Sequence, residues 1–230
     1  MKHFVILLLL GFLLLLNSCS GAVDVAEVDS GEDEVLMSVY EAPVDAENEQ
    51  DTINEENTMT NRVAVFDTSM GEFSMELFED TMPITTGNFI KLANEGFYDG
   101  TRFHRVIVDF MIQGGDPQST DTSKQNLWGT GGPGYAIEDE HVAGEKLSNV
   151  RGSISMANSG PQSGGSQFFI NVVDNSFLDW DKEPSSSKHP VFGEVISGMS
   201  VVDSISNVAT SAGDQPSEDI VVNSIKIVDQ

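Results

Sequence analysis

The sequence is poor in the residues that build metal centres and disulfide-stapled folds. Its 230 residues include one cysteine, Cys19, and four histidines, His3, His104, His141 and His189. A single cysteine excludes an intramolecular disulfide and a cysteine-rich metal site, and the histidines show no H-x-x-x-H spacing. The sequence also has no glycine-rich loop of the phosphate-binding type. We therefore expect neither a metal nor a cofactor.

Basic residues are also scarce. The chain has 11 Lys and Arg against 37 Asp and Glu, a formal net charge of −26. Between Asp24 and Glu56 there are 13 acidic residues and no basic one, and after residue 60 there are 24 acidic residues against 10 basic ones. A field of this sign repels nucleic acid and anionic lipid head groups. We expect no nucleic-acid partner, and a solvated acidic surface.

The one long apolar run lies at the N-terminus. It covers residues 4–16 and follows Lys2. Because this run is shorter than the roughly 20 residues of a membrane span, it predicts a secretory signal over residues 1–18. Its end, L-N-S-C, resembles a bacterial lipobox, in which the signal is cut before a cysteine that then carries lipid. We expect lipid on Cys19 and an exported protein held on the periplasmic or cell-surface side of a bacterial membrane. The alternative is an ordinary signal peptide with an incidental cysteine.

Residues 19–60 form a second unit. They are rich in Asp and Glu, poor in aromatics and without a sustained hydrophobic period. Such a segment buries too little apolar surface to offset its chain entropy. The composition predicts a disordered acidic tether between Cys19 and a folded domain at 61–230. A partner-binding acidic arm is the alternative.

From Arg62 the pattern changes to short alternating runs. Two of them, residues 63–66 and 73–77, flank Ser69-Met70-Gly71 and predict a hairpin. A helix is predicted from Pro83, with Thr81 or Met82 as its cap and Gly96 as its end. A second helix is predicted at Met199–Ile205. Further strands are predicted near 103–107, 110–114, 153–157, 167–172, 191–196 and 219–228.

Eight short strands, two helices and glycine-rich connections predict a mainly β domain. The architecture we expect is a closed eight-stranded antiparallel barrel with the helices over its openings. The connections at 117–128 and 180–187 are predicted to be surface loops. Phe103 and Phe168 are predicted core residues. His104 is predicted to be structural, on the side of the strand opposite Arg105.

Three segments contain the candidate functional residues. They read F-H-R-V-I-V-D-F-M-I-Q-G-G-D at 103–116, S-M-A-N-S-G-P-Q-S-G-G-S-Q-F-F-I at 155–170, and F-L-D followed by K-H-P-V-F-G-E-V within 177–195. Together they resemble the cyclophilin family of peptidyl-prolyl isomerases, over about residues 62–228. The segment W-G-T-G-G-P-G-Y-A-I-E-D-E at 128–140 resembles bacterial members in particular.

The resemblance implies a site, residue by residue. It assigns Arg105 as the catalytic arginine, with Gln113 and Asn158 as the polar groups that act with it. The substrate-binding residues that it implies are Phe110, Met111, Ala157, Gln167, Phe169, Phe177, Leu178 and His189. The family has a tryptophan where this chain has Phe177, so the indole N–H donor is missing. That departure counts against tight cyclosporin binding and not against isomerase activity.

These residue types suit the isomerisation of an X–Pro bond. Rotation meets a barrier of roughly 18–20 kcal/mol and breaks no bond, so it requires neither a nucleophile nor a metal. A guanidinium can stabilise the twisted state, while an apolar pocket holds the proline ring. The resemblance therefore implies an enzyme, a peptidyl-prolyl cis-trans isomerase. It would act on proline-containing polypeptides and assist the folding of exported proteins. The sequence leaves the oligomeric state open, and a monomer is the default expectation.

The sequence leaves three other functions open. The first is a non-catalytic proline-peptide binding or holdase module on the same fold. The second is an acidic surface-tethered interaction protein, for which only residues 20–60 argue. The third is a hydrolase using paired acids among Asp116 and Glu138–Glu140. Nothing in the segments around these acids indicates a substrate that they would hydrolyse.

Overall fold

The computed structural model describes residues 61–142, 147–182 and 188–230. The signal peptide, the lipidated Cys19 and the tether predicted for residues 1–60 lie outside the described residues. Within the described residues there are two α-helices, α1 (Pro83–Asn94) and α2 (Met199–Ser206). The eight strands are β1 (Val63–Thr68), β2 (Gly71–Leu77), β3 (Arg105–Ile107), β4 (Met111–Gly114), β5 (Ser153–Met156), β6 (Phe168–Asn171), β7 (Val191–Ser197) and β8 (Val222–Val228).

All eight strands belong to one antiparallel sheet. Their order is β3-β4-β6-β5-β7-β2-β1-β8. The sheet curls so that the chain just before β3 meets the start of β8. There Arg102 forms an isolated bridge with Val221, and Phe103 N donates to Ile220 O at 3.0 Å. The predicted mainly β, eight-stranded antiparallel fold with two helices is confirmed. The seam between β3 and β8 is a short contact and not a continuous ladder.

The predicted hairpin is formed by β1 and β2. Thr68 pairs with Gly71, so Ser69 and Met70 are the two loop residues. Thr68 Oγ1 accepts from Met70 N at 3.1 Å and donates to Gly71 O at 2.6 Å. A hydroxyl that satisfies both a donor and an acceptor of the turn explains why the chain reverses here.

Aromatic side chains fill the core between the sheet and α1. Phe66 stacks on Phe73 with ring centroids 4.6 Å apart, and Phe168 meets both Phe66 and Phe89 edge-on at 5.8 Å. Offset stacks and edge-to-face pairs are the arrangements that ring quadrupoles favour. Phe103 and Phe168 are buried there, as predicted.

Helix α1 has its first-turn donors satisfied from a distance. Met82 occupies the cap position but makes no side-chain hydrogen bond there, and Pro83 begins the helix. The Glu140 carboxylate accepts from Ile84 N at 3.0 Å and from Thr85 N at 2.9 Å. Just after the helix, Gly96 adopts φ 67°, the left-handed conformation predicted for its end. A carboxylate at a helix N-terminus also complements the helix dipole.

The predicted loop at 117–128 is more regular than its composition indicated. It contains two 3₁₀ segments, Pro117–Thr120 and Thr122–Leu127. The buried Asp116 carboxylate accepts from Gln118 N at 2.7 Å and from Gly131 N at 3.2 Å. Part of the other predicted loop, 183–187, lies outside the described residues. In the described part of the chain, no helix is both long and apolar enough to span a bilayer.

Candidate active site

The β3–β4 hairpin places Arg105 directly opposite Gln113. The Arg105 Nη1 lies 3.4 Å from Gln113 Oε1, and its Nε lies 3.5 Å from Asp214 Oδ2. The Arg105 side chain is 42% exposed, so its guanidinium stays within reach of a bound molecule. An arginine keeps its charge at any working pH.

A pocket with an apolar base opens beside this guanidinium. Met111 on β4 and Phe169 on β6 are 2% and 5% exposed and form its base. Gln113 and Phe169 are paired across β4 and β6, which fixes the Gln113 side chain next to the Phe169 ring. The cavity measures about 250 Å³ and is lined by Arg105, Phe110, Met111, Gln113, Ala157, Asn158, Phe169, Leu178 and His189. These are nine of the eleven residues that the sequence assigned to the site.

His189 closes one side of the pocket in its neutral form. Its ring meets Phe169 edge-on, with centroids 5.2 Å apart. Its Nδ1 lies 3.1 Å from Met156 O, and because a carbonyl only accepts, Nδ1 carries the hydrogen. Burial lowers the pKa of His189, and the bond to Met156 offsets part of that effect. The pocket wall is therefore an uncharged ring, which suits contact with an apolar ligand.

The polar side of the site is a chain of side-chain amides. Gln113 Nε2 donates to Gln167 Oε1 at 3.0 Å, and Gln167 Nε2 donates to Gly131 O at 2.8 Å. Both ends of the Gln167 amide are thus bound within the protein, and this residue lines a neighbouring cavity of about 690 Å³. Asn158 Nδ2 donates to Lys188 O at 2.7 Å, which uses one of its two hydrogens.

Phe177 lies outside the pocket, at its edge. Its ring stacks on Phe110 with centroids 6.2 Å apart and is 60% exposed. The structure thus groups nine predicted residues in one cavity, sets Gln167 behind Gln113, and leaves Phe177 on the outer face of Phe110.

Buried polar residues that the sequence analysis did not select hold the pocket walls. Asn175 Nδ2 donates to Phe110 O at 2.8 Å, and Asn149 Nδ2 donates to His189 O at 3.2 Å. Asn175 N donates to Asn149 O at 2.7 Å, which joins the two contacts. Both asparagines are buried. Because they contact backbone oxygens of pocket residues, no side-chain motif marks them in the sequence.

Asp214 is a third residue near the site that no motif in the sequence marks. It belongs to a loop whose neighbouring residues Gly213 and Gln215 line a third cavity of about 420 Å³. His104, Arg105, Gln125 and Trp128 also line this cavity. In sequence it is one acid among many in a chain of acidic composition. Its contact with Arg105 depends on the approach of two segments that are distant along the chain.

His104, the neighbour of Arg105, is 5% exposed. Burial lowers its pKa, and the nearby Asp116 opposes that effect. Its burial agrees with the structural role predicted for it, although it shares the lining of the 420 Å³ cavity with Arg105, from which it was predicted to point away. Within the described residues, no group of three or more His, Cys, Asp or Glu side chains is placed to hold a metal ion.

Comparison with known proteins gives one consistent family. The family model described as cyclophilin type peptidyl-prolyl cis-trans isomerase matches residues 63–227. A relative from Aspergillus fumigatus, peptidyl-prolyl cis-trans isomerase-like 1, is 40% identical over 166 residues, which cover 72% of this chain and 95% of the relative. The solved structure of a Cryptosporidium parvum cyclophilin in the presence of the dipeptide Ala-Pro has a TM-score of 0.62. It is 28% identical and covers 73% of this chain and 99% of its own.

One further relative is much longer than this chain. It is a Streptococcus pyogenes protein named as a bifunctional phosphatase and peptidyl-prolyl cis-trans isomerase. It is 36% identical over 223 residues, which cover 86% of this chain but only 45% of that protein.

Proposed function

This chain belongs to the cyclophilin family and is a peptidyl-prolyl cis-trans isomerase, and from that premise we propose that Arg105 is its catalytic residue and that it acts on exported proteins from a lipid anchor. The observation that supports the first part is that Arg105 lines the 250 Å³ cavity together with the apolar side chains of Phe110, Met111, Phe169 and Leu178. The cavity suits a proline ring, and the guanidinium lies beside it.

The reaction asks the protein to bind a twisted peptide bond better than a planar one. Resonance opposes rotation with a barrier of roughly 18–20 kcal/mol, so only interactions that strengthen in the twisted state accelerate it. In that state the proline nitrogen becomes pyramidal and gains a lone pair. A guanidinium N–H aimed at this nitrogen, or at the adjacent carbonyl, stabilises the state electrostatically.

The remaining residues would hold the two sides of the bond. Met111, Phe169 and Leu178 contact the proline ring and keep it still. Gln113 and Asn158 bond the peptide backbone and hold one side of the chain while the other side turns. Gln167 acts behind them, because both ends of its amide are engaged within the protein. No bond to the substrate is made or broken at any step.

Substitution of Arg105 tests this role. In a protease-coupled assay on an X–Pro peptide, we expect Arg105→Ala to lower kcat/KM about a hundredfold, the effect of removing a preorganised donor. Arg151→Ala is the matched control, because the Arg151 side chain is 47% exposed and pairs with Asp203 away from the pocket. It should retain the wild-type rate. An Arg105→Ala variant as fast as wild type would refute the proposed role of Arg105.

The binding or holdase alternative predicts a different result. A non-catalytic module would bind a proline peptide equally well with and without Arg105, and neither protein would exceed the uncatalysed rate. The catalytic proposal predicts that Arg105→Ala loses rate while a titration still detects peptide binding in the pocket. The two measurements on the same variant separate the alternatives.

The lipid anchor is proposed from the L-N-S-C segment at residues 16–19. Two or more acyl chains on one residue anchor a protein stably, whereas one chain binds only marginally. Cells expressing the full chain and the Cys19→Ala variant would be fractionated. We expect the wild type in the membrane fraction and the variant in the soluble exported fraction. Retention of the variant in membranes would contradict the proposal.

The acidic segment is proposed to act only as a spacer. Deletion of residues 22–58 should leave the isomerisation rate of a short X–Pro peptide unchanged, because the catalytic groups all lie after residue 60. The role in folding exported proteins is tested separately, by the refolding yield of a proline-containing exported protein with wild type and with Arg105→Ala. Equal yields would contradict that role.

A further inference from the structure

The loop that carries Asp214 is docked on the edge of β3. Asp214 O accepts from Val106 N at 2.7 Å, immediately beside Arg105. The loop is closed on itself by an isolated bridge between Thr210 and Pro216, and Ser211 N donates to Gln215 O at 2.7 Å. The Asp214 backbone is therefore fixed with respect to the strand that bears the arginine.

Two consecutive residues of this loop have left-handed backbone. Gly213 has φ 85° and Asp214 has φ 63°. Glycine takes this conformation without penalty, whereas for other L-residues it costs roughly 1–2 kcal/mol, and Asn and Asp tolerate it best. The conformation accompanies a side chain turned toward β3, where Asp214 Oδ2 lies 3.5 Å from Arg105 Nε.

The Arg105 guanidinium thus lies between two acceptors. Asp214 contacts Nε on one side, and Gln113 Oε1 lies 3.4 Å from Nη1 on the other. Arginine has five N–H donors, so these contacts leave donors for a bound peptide. Both contacts are long, and each alone restricts the side chain weakly. Together they limit rotation of the guanidinium about its long, flexible stem.

We propose that Asp214 is a positioning residue for the isomerase reaction, whose carboxylate holds the Arg105 guanidinium in the orientation that meets the twisted peptide bond. The inference rests on the proposed catalytic role of Arg105. Both side chains are about half exposed, 42% and 47%. A pair of this exposure is worth up to about 1 kcal/mol, which corresponds to about a fivefold effect on rate.

The test compares Asp214→Asn and Asp214→Gly in the full-length chain, purified in detergent. Asn keeps the size and the left-handed preference but loses the charge, and Gly removes both the charge and the backbone penalty. We expect both variants to lower kcat about threefold to fivefold with KM changed less than about twofold. The control Asp203→Asn removes a carboxylate of similar exposure that pairs with Arg151, and it should keep the wild-type kcat.

Two outcomes would overturn the proposal. One is an Asp214→Asn variant with wild-type kcat, whether or not Asp214→Gly is impaired, because the carboxylate would then be dispensable. The other is an equal loss of kcat in Asp203→Asn, which would indicate a general charge effect. Salt supplies a second readout: the rate of the wild type should approach that of Asp214→Asn as ionic strength rises, since an exposed pair is screened.

A double variant separates this inference from the proposed function. Arg105→Lys removes the Nε atom that contacts Asp214 and the planar guanidinium. In that background Asp214→Asn should therefore change kcat by less than about 1.5-fold. Full additivity would overturn the positioning role. If Arg105→Ala matches wild type, the catalytic role of Arg105 fails. If it is slow while Asp214→Asn alone is not, only the positioning role fails.

Discussion

Gln113 and Gln167 share a 3.0 Å hydrogen bond that fixes which end of the Gln113 amide faces Arg105. Gln113 Nε2 is the donor in this bond, so its Oε1 is the atom that lies 3.4 Å from Arg105 Nη1. Gln167 is in turn oriented by its donation to Gly131 O at 2.8 Å. An amide turned the other way would present its NH₂ group to a cation, which is unfavourable. Gln167 therefore acts on the arginine through Gln113.

This relationship predicts the effect of Gln167→Met. Methionine has a similar length but has no N–H donor and only a weak acceptor. Gln113 then loses its orienting partner and samples the reversed amide, so we expect kcat/KM for an X–Pro peptide to fall about threefold to tenfold. Gln118→Met is the control, because its exposed amide bonds to Thr130 Oγ1 at 3.0 Å. Equal rates for the Gln167 variant and wild type would argue against the orienting role.

The sequence left open a hydrolytic role for the acids at 138–140. In the structure, Glu140 has a structural role and Glu138 lies on the surface. Glu140 is 8% exposed and bonds the first-turn donors Ile84 N and Thr85 N, whereas Glu138 is exposed. We predict that Glu140→Gln lowers the free energy of unfolding by about 1 kcal/mol, since it weakens both the capping bonds and the interaction with the helix dipole. Urea denaturation measures this.

Glu138→Gln is the matched control for that prediction. It removes a charge two residues away without touching a helix terminus, so its unfolding midpoint should equal that of the wild type. Isomerase activity of the folded Glu140→Gln variant should also be unchanged, because Glu140 does not line the 250 Å³ cavity. A loss of activity without a loss of stability would contradict the capping role.

Much of the fold could be predicted from local patterns. In β2 the apolar residues Phe73, Met75 and Leu77 alternate with polar ones, and β1 begins with the apolar run Val63–Phe66 on the other side of a short turn. The run at 103–116 contains both β3 and β4. Helix α1 is marked by Pro83 at its start and Gly96 after its end. Such signals depend on neighbours in sequence, so they survive without knowledge of the tertiary structure.

The site was predictable from motifs only where side chains themselves line the pocket. Asn149 and Asn175 act through backbone oxygens of His189 and Phe110, and Asp214 meets Arg105 across a long stretch of chain. Neither kind of contact has a local signature. The 3₁₀ segment Thr122–Leu127 was missed for a related reason, because it depends on capping by Asp121 and has no apolar period.

Phe177 offers a test of the departure from the family pattern. Its ring is 60% exposed and stacks on Phe110 outside the pocket. Phe177→Trp keeps an aromatic ring there and adds an indole N–H donor. We expect cyclosporin to bind about tenfold more tightly, the worth of one additional hydrogen bond, while kcat/KM changes less than about twofold. Isothermal titration measures the affinity, and an unchanged Kd would show that the missing donor is not what limits binding.

His189 predicts how stability depends on pH. Burial lowers its pKa in the folded protein, whereas an unfolded histidine titrates near 6.5. As pH falls below about 6.5, the unfolded state therefore binds a proton before the folded state does. His189 contributes stability that is present above this pH and lost as pH falls toward its folded pKa, at about 1.4 kcal/mol for each pH unit of the window.

Denaturant unfolding at pH 7.5 and pH 5.5 tests this in the wild type and in His189→Gln. Glutamine does not titrate, so we expect the variant to lose less stability between the two pH values than the wild type. Four carboxylates have lowered pKa values, Glu79, Asp121, Asp174 and Asp203; they titrate below this window and are common to both proteins. An NMR titration of the His189 ring should give a midpoint below 6.5. Equal stability losses in the two proteins, or a midpoint at or above 6.5, would show that burial does not keep this pocket wall neutral.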